Sequence, residues 1–134
     1  MILVDAGPLI ALLHAGDQNH ERCVEALRRL REPMATAWPV VTEAMHLLGF
    51  SWDAQDALWE MLSTDHLGVL PLEARDGLRM RELMRKYRDL PMDIADASLV
   101  TLAEREGLRR VFTTDRRDFS VYRLGRSGRF SIVP

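Results

Sequence analysis

The sequence predicts an α/β protein in which helices cover both faces of a central, mostly parallel sheet of four to five strands. The chain opens on a short apolar run of branched side chains, residues 1–4, which is typical of a strand buried inside a parallel sheet. Further short apolar runs alternate with segments of helical periodicity, as expected for parallel strands joined by right-handed crossovers. With 134 residues, 47% of them apolar and 28% charged, the chain has the size and composition of one globular domain. We therefore expect a single domain over residues 1–134 with a three-layer α/β/α architecture.

The first half of the chain contributes two predicted strands and four predicted helices. Asp5 ends the first strand, Ala6 and Gly7 turn the chain, and Pro8 suits the first position of a helix. Ser51 is a typical N-cap residue and precedes the fourth helix. After the opening strand, the predicted segments are helices over residues 9–13, 21–31, 40–48 and 52–62, and a short strand over residues 34–38.

The second half continues the alternation of strands and helices. The predicted segments are strands over residues 67–70, 110–113 and 130–133, and helices over residues 73–88 and 92–106. Gly107 ends the second of these helices, and residues 125–128 are the most loop-like stretch. The helix over residues 73–88 is basic and amphipathic, and four of its side chains are expected to face inward: Leu78, Leu83, Met84 and Tyr87.

Two tryptophans mark one stripe of the predicted helix over residues 52–62. Trp52 and Trp59 are seven residues apart, which is about two helical turns. Such a stripe suits a hydrophobic core, a dimer contact or a groove for a partner helix. The sequence leaves these three interpretations open.

Charge is divided unevenly along the chain, although the net charge is only −2. The first 74 residues carry 4 basic and 11 acidic side chains, whereas the remaining 60 carry 14 basic and 9 acidic ones. Lys86 is the sole lysine, so nearly all of the basic residues are arginines. A basic half beside an acidic half suggests an anionic partner next to a cation-binding site. Solvated helix faces explain the same pattern equally well.

Redox and targeting features indicate a cytoplasmic protein. The single cysteine, Cys23, cannot form an internal disulfide, which fits a reducing compartment. The apolar runs are too short to cross a bilayer. The N-terminus lacks a basic leader region, and Asp5 interrupts the apolar run that a signal peptide would need.

Four acidic residues occupy positions that solubility alone does not explain. Asp5 and Asp115 follow predicted strands, and ligands bind at the carboxyl ends of strands in open α/β sheets. Glu43 and Asp96 lie in otherwise apolar helical segments, where an unpaired carboxylate would be costly to bury. Asp93 lies on the same helix face as Asp96, one turn earlier. Carboxylates that meet in one pocket need a divalent cation to offset their repulsion, and an oxygen-only set favours Mg²⁺ or Mn²⁺ over Zn²⁺.

Several of these acids also have a purely structural interpretation. Asp5 suits the cap of the helix that follows it, and Asp93 suits an N-cap or a first-turn acid favoured by the helix dipole. Asp115 and Asp118 suit ordinary turns. The two acids within apolar helical segments are harder to explain in this way, and the four together favour convergence on one pocket.

These motifs resemble those of the PIN domain, a family of metal-dependent nucleases that includes the VapC toxins of bacterial toxin–antitoxin pairs. The resemblance covers essentially the whole chain. Its four acidic positions fall within residues 4–9, 42–44, 95–99 and 113–119. Any one of these motifs is short and unspecific, but four of them in order at suitable spacing are fairly specific.

One departure from the family pattern follows the first aspartate. Many members carry Ser or Thr there, whereas this chain has Ala6 and Gly7. The difference removes a hydroxyl near the metal or the phosphate. Thr113 or Thr114 is a candidate for partly replacing it.

The resemblance implies hydrolysis of RNA phosphodiester bonds. One or two Mg²⁺ or Mn²⁺ ions would be held by Asp5, Asp96 and Asp115, with Glu43 binding directly or through water. The metal would activate a water molecule and neutralise charge on the phosphate. Supporting roles around these ligands are expected for Asp93, Thr113, Thr114 and Asp118.

RNA binding is expected to come from arginines around the acidic pocket. Arg116 and Arg117 directly follow Asp115 in the sequence. Further candidates are Arg79, Arg85, Arg88 and Arg123. Three aromatic residues could stack on single-stranded bases, although core or interface positions are favoured for all of them: Trp38, Tyr87 and Tyr122.

The family resemblance also implies partners. A toxin of this kind would dimerise with a second copy, and a small antitoxin protein would block its acidic pocket. The alternative is a non-catalytic PIN-like scaffold that binds RNA or protein. An intact protein that ignores Mg²⁺ and Mn²⁺ and cleaves no RNA would favour the scaffold.

Overall fold

A five-stranded, fully parallel sheet forms the centre of the computed structural model, which describes all 134 residues. Its strand order is β3-β2-β1-β4-β7, so the first strand of the chain lies in the middle. Its strands are β1 (Ile2–Val4), β2 (Met34–Thr36), β3 (Gly68–Val69), β4 (Arg110–Phe112) and β7 (Ser131–Val133). A separate antiparallel pair consists of β5 (Arg123–Leu124) and β6 (Gly128–Arg129).

Seven helices flank this sheet and complete the predicted three-layer α/β/α architecture. They are α1 (Ala6–Leu13), α2 (His20–Arg29), α3 (Trp38–Leu47), α4 (Trp52–Ser63), α5 (Asp76–Lys86), α6 (Ile94–Glu106) and α7 (Arg116–Val121). Helix α1 packs against α2, α3 and α4, whereas α6 packs against α3 and α5. The predicted fold class is therefore confirmed, with the sheet at the upper end of the expected strand count.

The central position of β1 follows from its composition. Ile2, Leu3 and Val4 are all completely buried, as expected for a strand covered on both faces. Leu3 pairs with Ala35 of β2 on one side and with Val111 of β4 on the other. Because all three strands are parallel, their carboxyl ends meet at one edge of the sheet. The residues that follow β1 and β4 are therefore neighbours.

Helix caps predicted from sequence occur where expected. The Ser51 side chain accepts a hydrogen bond from the Ala54 backbone N–H, at 3.2 Å, and so starts α4. Gly107 ends α6 with a left-handed backbone, at a φ of 67°, which glycine adopts without a Cβ penalty. Helix α1 begins at Ala6 rather than at Pro8, since Asp5 itself serves as its N-cap.

Two elements near the C-terminus were not predicted. Asp115 and Asp118 suit ordinary turns in the sequence, but α7 begins at Arg116, because Asp115 caps it by accepting from the Asp118 backbone N–H. The loop-like stretch around residues 125–128 is the connection of the short β5–β6 hairpin. In both cases the local sequence signal is shared by turns and by the ends of regular elements.

Two of the four residues expected to face inward on α5 do not. Leu83 and Tyr87 are buried as predicted, whereas Leu78 is 70% exposed and Met84 is also exposed. The inward stripe of α5 instead includes Asp76, which pairs with Arg105 of α6. Leu78 lies off that stripe, so the prediction for it and for Met84 was wrong.

The tryptophans are not part of the core. Trp38, Trp52 and Trp59 are between 46% and 65% exposed, and the Trp38 and Trp59 ring centroids are 6.3 Å apart. This excludes the core interpretation of the Trp52–Trp59 stripe. Tyr87 and Tyr122 are buried and pack edge to face, which excludes base stacking by their rings. No helix has the length and apolar character needed to span a membrane.

Candidate active site

Asp5 lies at the carboxyl end of the central strand and is only 8% exposed. One of its carboxylate oxygens accepts a hydrogen bond from the Ala6 N–H at 2.9 Å, and the other accepts one from the Thr113 hydroxyl at 2.8 Å. Burial raises the pKa of Asp5 to about 6, against the lowering effect of these two bonds, and the charges of Asp93 and Asp115 raise it further. Asp5 therefore caps α1, as its sequence position suggests, and lies at the carboxyl edge of the sheet.

Thr113 links the ends of β1 and β4. Its buried hydroxyl donates to Asp5 and accepts from the Asp115 backbone N–H at 3.0 Å. Asp115 in turn accepts from the Asp118 N–H at 3.1 Å and so caps α7. This chain of bonds fixes the first and fourth predicted acids relative to each other, although they are 110 positions apart in the sequence.

Asp96 projects from the first turn of α6. Asp93, the N-cap of that helix, accepts a hydrogen bond from the Asp96 N–H at 2.8 Å. The Tyr122 hydroxyl donates to Asp96 Oδ2 at 2.7 Å. Burial raises the pKa of Asp96 to about 7, the Tyr122 hydrogen bond opposes this rise, and the charges of nearby aspartates, led by Asp5, add to it. Burial and the bond to Asp96 also raise the pKa of Tyr122, so its hydroxyl stays protonated and remains a donor.

Glu43 reaches the same region from α3. Burial is the main reason that its pKa rises to about 7, followed by the negative charges of Asp93 and Asp5. The pKa of Asp118 is likewise raised, by burial and by its neighbour Asp115. Carboxylates from four different parts of the chain thus repel one another across a common space.

That space is a cleft of about 290 Å³ at the carboxyl edge of the sheet. Six of its twelve lining residues are acids: Asp5, Glu43, Asp93, Asp96, Asp115 and Asp118. The others are Ala6, Gly7, Ile10, Leu47, Pro91 and Thr114. No basic side chain lines the cleft, so its negative charge is not neutralised from within.

The donor chemistry of the cleft suits a hard divalent cation, because every charged group in its lining is a carboxylate. The raised pKa values of Asp5, Glu43 and Asp96 indicate negative charge that lacks a compensating partner. No three His, Cys, Asp or Glu side chains, however, stand in a ready-made metal-binding cluster. The residues therefore fit such an ion by charge and ligand type, and the side chains would have to close around it.

Residues 2–124 match the PIN domain family. The chain belongs to this family. The match takes in the four acids and the cleft and stops before β7, so it covers far more than half of the protein.

A full-length relative of this PIN domain is a VapC protein. VapC26 of Mycobacterium tuberculosis, which is named as a ribonuclease, is 28% identical over 135 residues. The alignment covers 99% of this chain and 100% of the relative.

Solved structures share the fold. VapC20 of M. tuberculosis, described as a sarcin–ricin loop cleaving toxin, superposes with a TM-score of 0.76 at 18% identity, covering 83% of this chain and 87% of its own. A toxin–antitoxin complex from Klebsiella pneumoniae gives a TM-score of 0.68 at 17% identity, with 90% and 92% covered. VapBC2 from Rickettsia felis, bound to a DNA fragment from its promoter, gives 0.65 at 16% identity, with both chains fully covered.

The arginines of this PIN domain lie outside the cleft, and several are engaged elsewhere. Arg116 binds the Pro134 carbonyl, and Arg123 binds backbone carbonyls at the end of α7. Arg79 forms ion pairs with Glu104, at 2.9 Å, and with Glu82, at 3.0 Å. The remaining candidates are exposed: Arg85, Arg88 and Arg117.

Sequence reasoning missed the bond between Tyr122 and Asp96. It joins the end of α7 to the start of α6 across 26 positions, so no local motif could predict it. Asp118, by contrast, lines the cleft as its proximity to Asp115 suggested. Thr113, expected to support the ligands, bonds to two of the four acids.

Proposed function

We propose that this PIN domain is a ribonuclease that hydrolyses RNA phosphodiester bonds with Mg²⁺ or Mn²⁺, as the toxin of a VapBC-type toxin–antitoxin pair. The observation that carries the proposal is the convergence of Asp5, Glu43, Asp96 and Asp115 on one cleft without a basic partner. The full-length similarity to a protein named as a ribonuclease supports it. An uncompensated carboxylate cluster costs free energy in the folded state, and a bound cation removes that cost.

In this proposal Asp5, Asp96 and Asp115 hold the metal, and Glu43 binds it directly or through water. When bound, the metal would lower the pKa of a water molecule and offset negative charge on the phosphate. Thr113 keeps the first and fourth acids in position, because its hydroxyl bonds to Asp5 and to the Asp115 backbone.

The remaining carboxylates extend the negative surface of the cleft. Asp93 and Asp118 both line it. Asp93 caps α6, which carries Asp96, and the Asp118 backbone N–H donates to the Asp115 carboxylate. The charge of Asp93 raises the pKa values of Glu43, Asp96 and Asp118 and so strengthens the preference for a bound cation. They therefore serve as supporting residues rather than as the central ligands.

RNA is expected to reach the cleft over arginine side chains. Arg117 is exposed and directly precedes Asp118, which lines the cleft. Its charge opposes the rise in the pKa of Asp118, so Arg117 lies near the cleft rim. Arg85 is exposed in the last turn of α5, and Arg88 is exposed just beyond it. The Arg88 guanidinium donates to the Arg85 backbone carbonyl at 2.7 Å, a bond that it would have to exchange for a phosphate. Arg116 would first have to release the Pro134 carbonyl. We propose Arg85, Arg88, Arg116 and Arg117 as the RNA contacts.

The proposal includes a small antitoxin partner and a homodimer in the cytoplasm. Two of the structural neighbours are described as toxin–antitoxin complexes, and both share this fold over at least 90% of the chain. The exposed pair Trp38 and Trp59 offers apolar surface of the kind that protein interfaces bury.

The test is RNA cleavage by the purified protein with and without Mg²⁺ or Mn²⁺, compared with D96N. Asn keeps the size of the side chain and can still accept the Tyr122 hydrogen bond, but it removes the charge. We expect D96N to fold and to lose cleavage by more than about 100-fold, beyond the effect typical of an outer partner of a metal ligand. D56N, which removes an exposed acid on α4 away from the cleft, is the matched control and should cleave like the wild type.

Two results would overturn the proposal. Cleavage by D96N at the wild-type rate would remove Asp96 from the mechanism. Wild-type protein that cleaves no RNA with either metal, while remaining folded, would favour the non-catalytic scaffold.

A further inference from the structure

The cleft contains one neutral polar side chain among its six acids, and that side chain is Thr114. A phosphate group carries negative charge, so the acids themselves cannot hydrogen-bond to it as carboxylates. Among the side chains that line the cleft, only a hydroxyl can therefore donate a hydrogen bond to an RNA phosphate. Thr114 is the only lining residue that has one.

The Thr114 hydroxyl is free to make such a contact. It forms no hydrogen bond within the chain, whereas the hydroxyl of the adjacent Thr113 is fully engaged by Asp5 and by the Asp115 N–H. Two neighbouring threonines thus have different tasks. Thr113 is fixed inside the protein, and Thr114 presents an unused donor to the cleft.

Gly7 provides the space that the Thr114 hydroxyl occupies. A Cβ atom at position 7 would lie 2.3 Å from Thr114 Oγ1, closer than any ordinary contact. The Cβ and Cγ2 atoms of Thr114 would be 3.6 and 3.9 Å away, which is normal van der Waals distance. The glycine is therefore matched to the hydroxyl itself and not to the rest of the threonine.

The first turn of α1 offers few alternative donors at this wall. The Ala6 N–H is taken by Asp5, at 2.9 Å, and Pro8 has no N–H. Gly7 alone among these three residues has a backbone donor left to offer. The Thr114 hydroxyl lies over that same residue.

We propose that Thr114 donates a hydrogen bond to a non-bridging oxygen of the scissile RNA phosphate, and that Gly7 is required because it leaves room for this hydroxyl. The proposal rests on the ribonuclease function proposed above. It makes Thr114 a substrate-contacting residue and Gly7 a positioning residue.

The first test compares T114V and T114S in cleavage of a single-stranded RNA of mixed sequence with Mg²⁺. Val has nearly the shape of Thr without the hydroxyl, whereas Ser keeps the hydroxyl. We expect T114V to lose about 10- to 100-fold in kcat/KM, the usual effect of deleting one hydrogen bond to a charged group. T114S should retain most of the cleavage, and the thermal midpoint of T114V should match the wild type because no internal bond is lost.

The second test asks whether Gly7 acts through the hydroxyl. In the wild-type background, G7A pushes its methyl group against Thr114 Oγ1, so we expect a loss of cleavage similar to that of T114V. In the T114A background, the atom nearest to the added Cβ at position 7 is the Cβ of residue 114, at 3.6 Å. Adding G7A to T114A should therefore reduce cleavage little further. Such non-additivity identifies a shared contact.

The outcomes separate this inference from the proposed function. Wild-type cleavage that T114V leaves unchanged would overturn the role of Thr114 while the ribonuclease proposal stands. Equal losses from G7A in both backgrounds would overturn the role assigned to Gly7. If the wild type cleaves no RNA with either metal, the ribonuclease proposal fails and this inference fails with it.

Discussion

At the scale of single residues, the environment of the cleft carboxylates favours the binding of a proton or a cation. Asp5, Glu43 and Asp96 all have raised pKa values, and in each case burial is the largest cause. The hydrogen bonds to Asp5 and Asp96 oppose the shift but do not cancel it. Without a cation, protons are the available counterions.

This electrostatic arrangement predicts an unusual pH dependence of stability for the metal-free protein. The pKa values of Asp5, Glu43 and Asp96 are about 6, 7 and 7 in the folded chain, against ordinary values of 3.8, 4.5 and 3.8. The folded chain therefore binds protons at a higher pH than the unfolded chain. Its free energy of unfolding should rise as the pH falls from about 8 to about 5. Thermal unfolding in a chelator measures this directly.

The control for the pH prediction is the same series of unfolding experiments with saturating Mg²⁺. The cation competes with protons for the carboxylates, so its stabilising effect should be largest at high pH and should fade on acidification. A decrease in the thermal midpoint of the metal-free protein as the pH is lowered from about 8 to about 6 would contradict the raised pKa values.

At the scale of secondary-structure elements, the candidate site is built from helix starts placed at strand ends. Asp5 directly follows β1 and Asp115 follows β4 after two threonines, and both cap helices. Asp93 caps α6 one turn before Asp96. These positions were predictable, because buried β-strands and helix caps have local sequence signatures. Helix α7 was not predictable, because an aspartate that caps a short helix has the same local sequence signature as one that starts a turn.

Contacts between elements explain the other differences from the sequence-based predictions. Nothing near Tyr122 in the sequence indicates that its hydroxyl reaches Asp96 on α6. The exposure of Leu78 likewise depends on α5 turning Asp76 towards Arg105, an ion pair that spans 29 positions. Local periodicity predicts the burial of Leu83 and Tyr87 on α5, but not the exposure of Leu78, which depends on contacts with another helix.

The contact between α7 and α6 carries a prediction of its own. Y122F keeps the ring that packs against Tyr87 and Phe119 but removes the donor to Asp96. We expect metal affinity to fall about 10- to 100-fold, as is usual when the outer partner of a metal ligand is removed. The measurement is metal-dependent cleavage as a function of Mn²⁺ concentration.

Y87F is the matched control for that experiment. Tyr87 is the other phenol of the pair, and its oxygen accepts a hydrogen bond from the Arg123 N–H, at 3.0 Å, rather than bonding to an acid of the cleft. Its removal should leave the Mn²⁺ dependence as in the wild type. Equal Mn²⁺ dependence of wild type and Y122F would show that Tyr122 does not position Asp96.

At the scale of the whole molecule, the uneven charge of the sequence has a structural counterpart. Acids from both halves of the chain meet in the cleft, whereas its lining contains no basic side chain. Several arginines of the second half of the chain form ion pairs or bind backbone carbonyls. The ion pairs and backbone contacts agree with the solvated-surface interpretation for these arginines, and the cation-binding site stays a proposal. The single-domain prediction stays a prediction.

Calorimetric titration of Mn²⁺ into the wild type and D96N at a pH of about 8, where the carboxylates are charged, tests most directly whether these acids form one cation site. We predict measurable binding to the wild type and an affinity lower by more than about tenfold in D96N. A wild-type protein that binds no Mn²⁺, or a D96N variant that binds it equally well, would contradict the account.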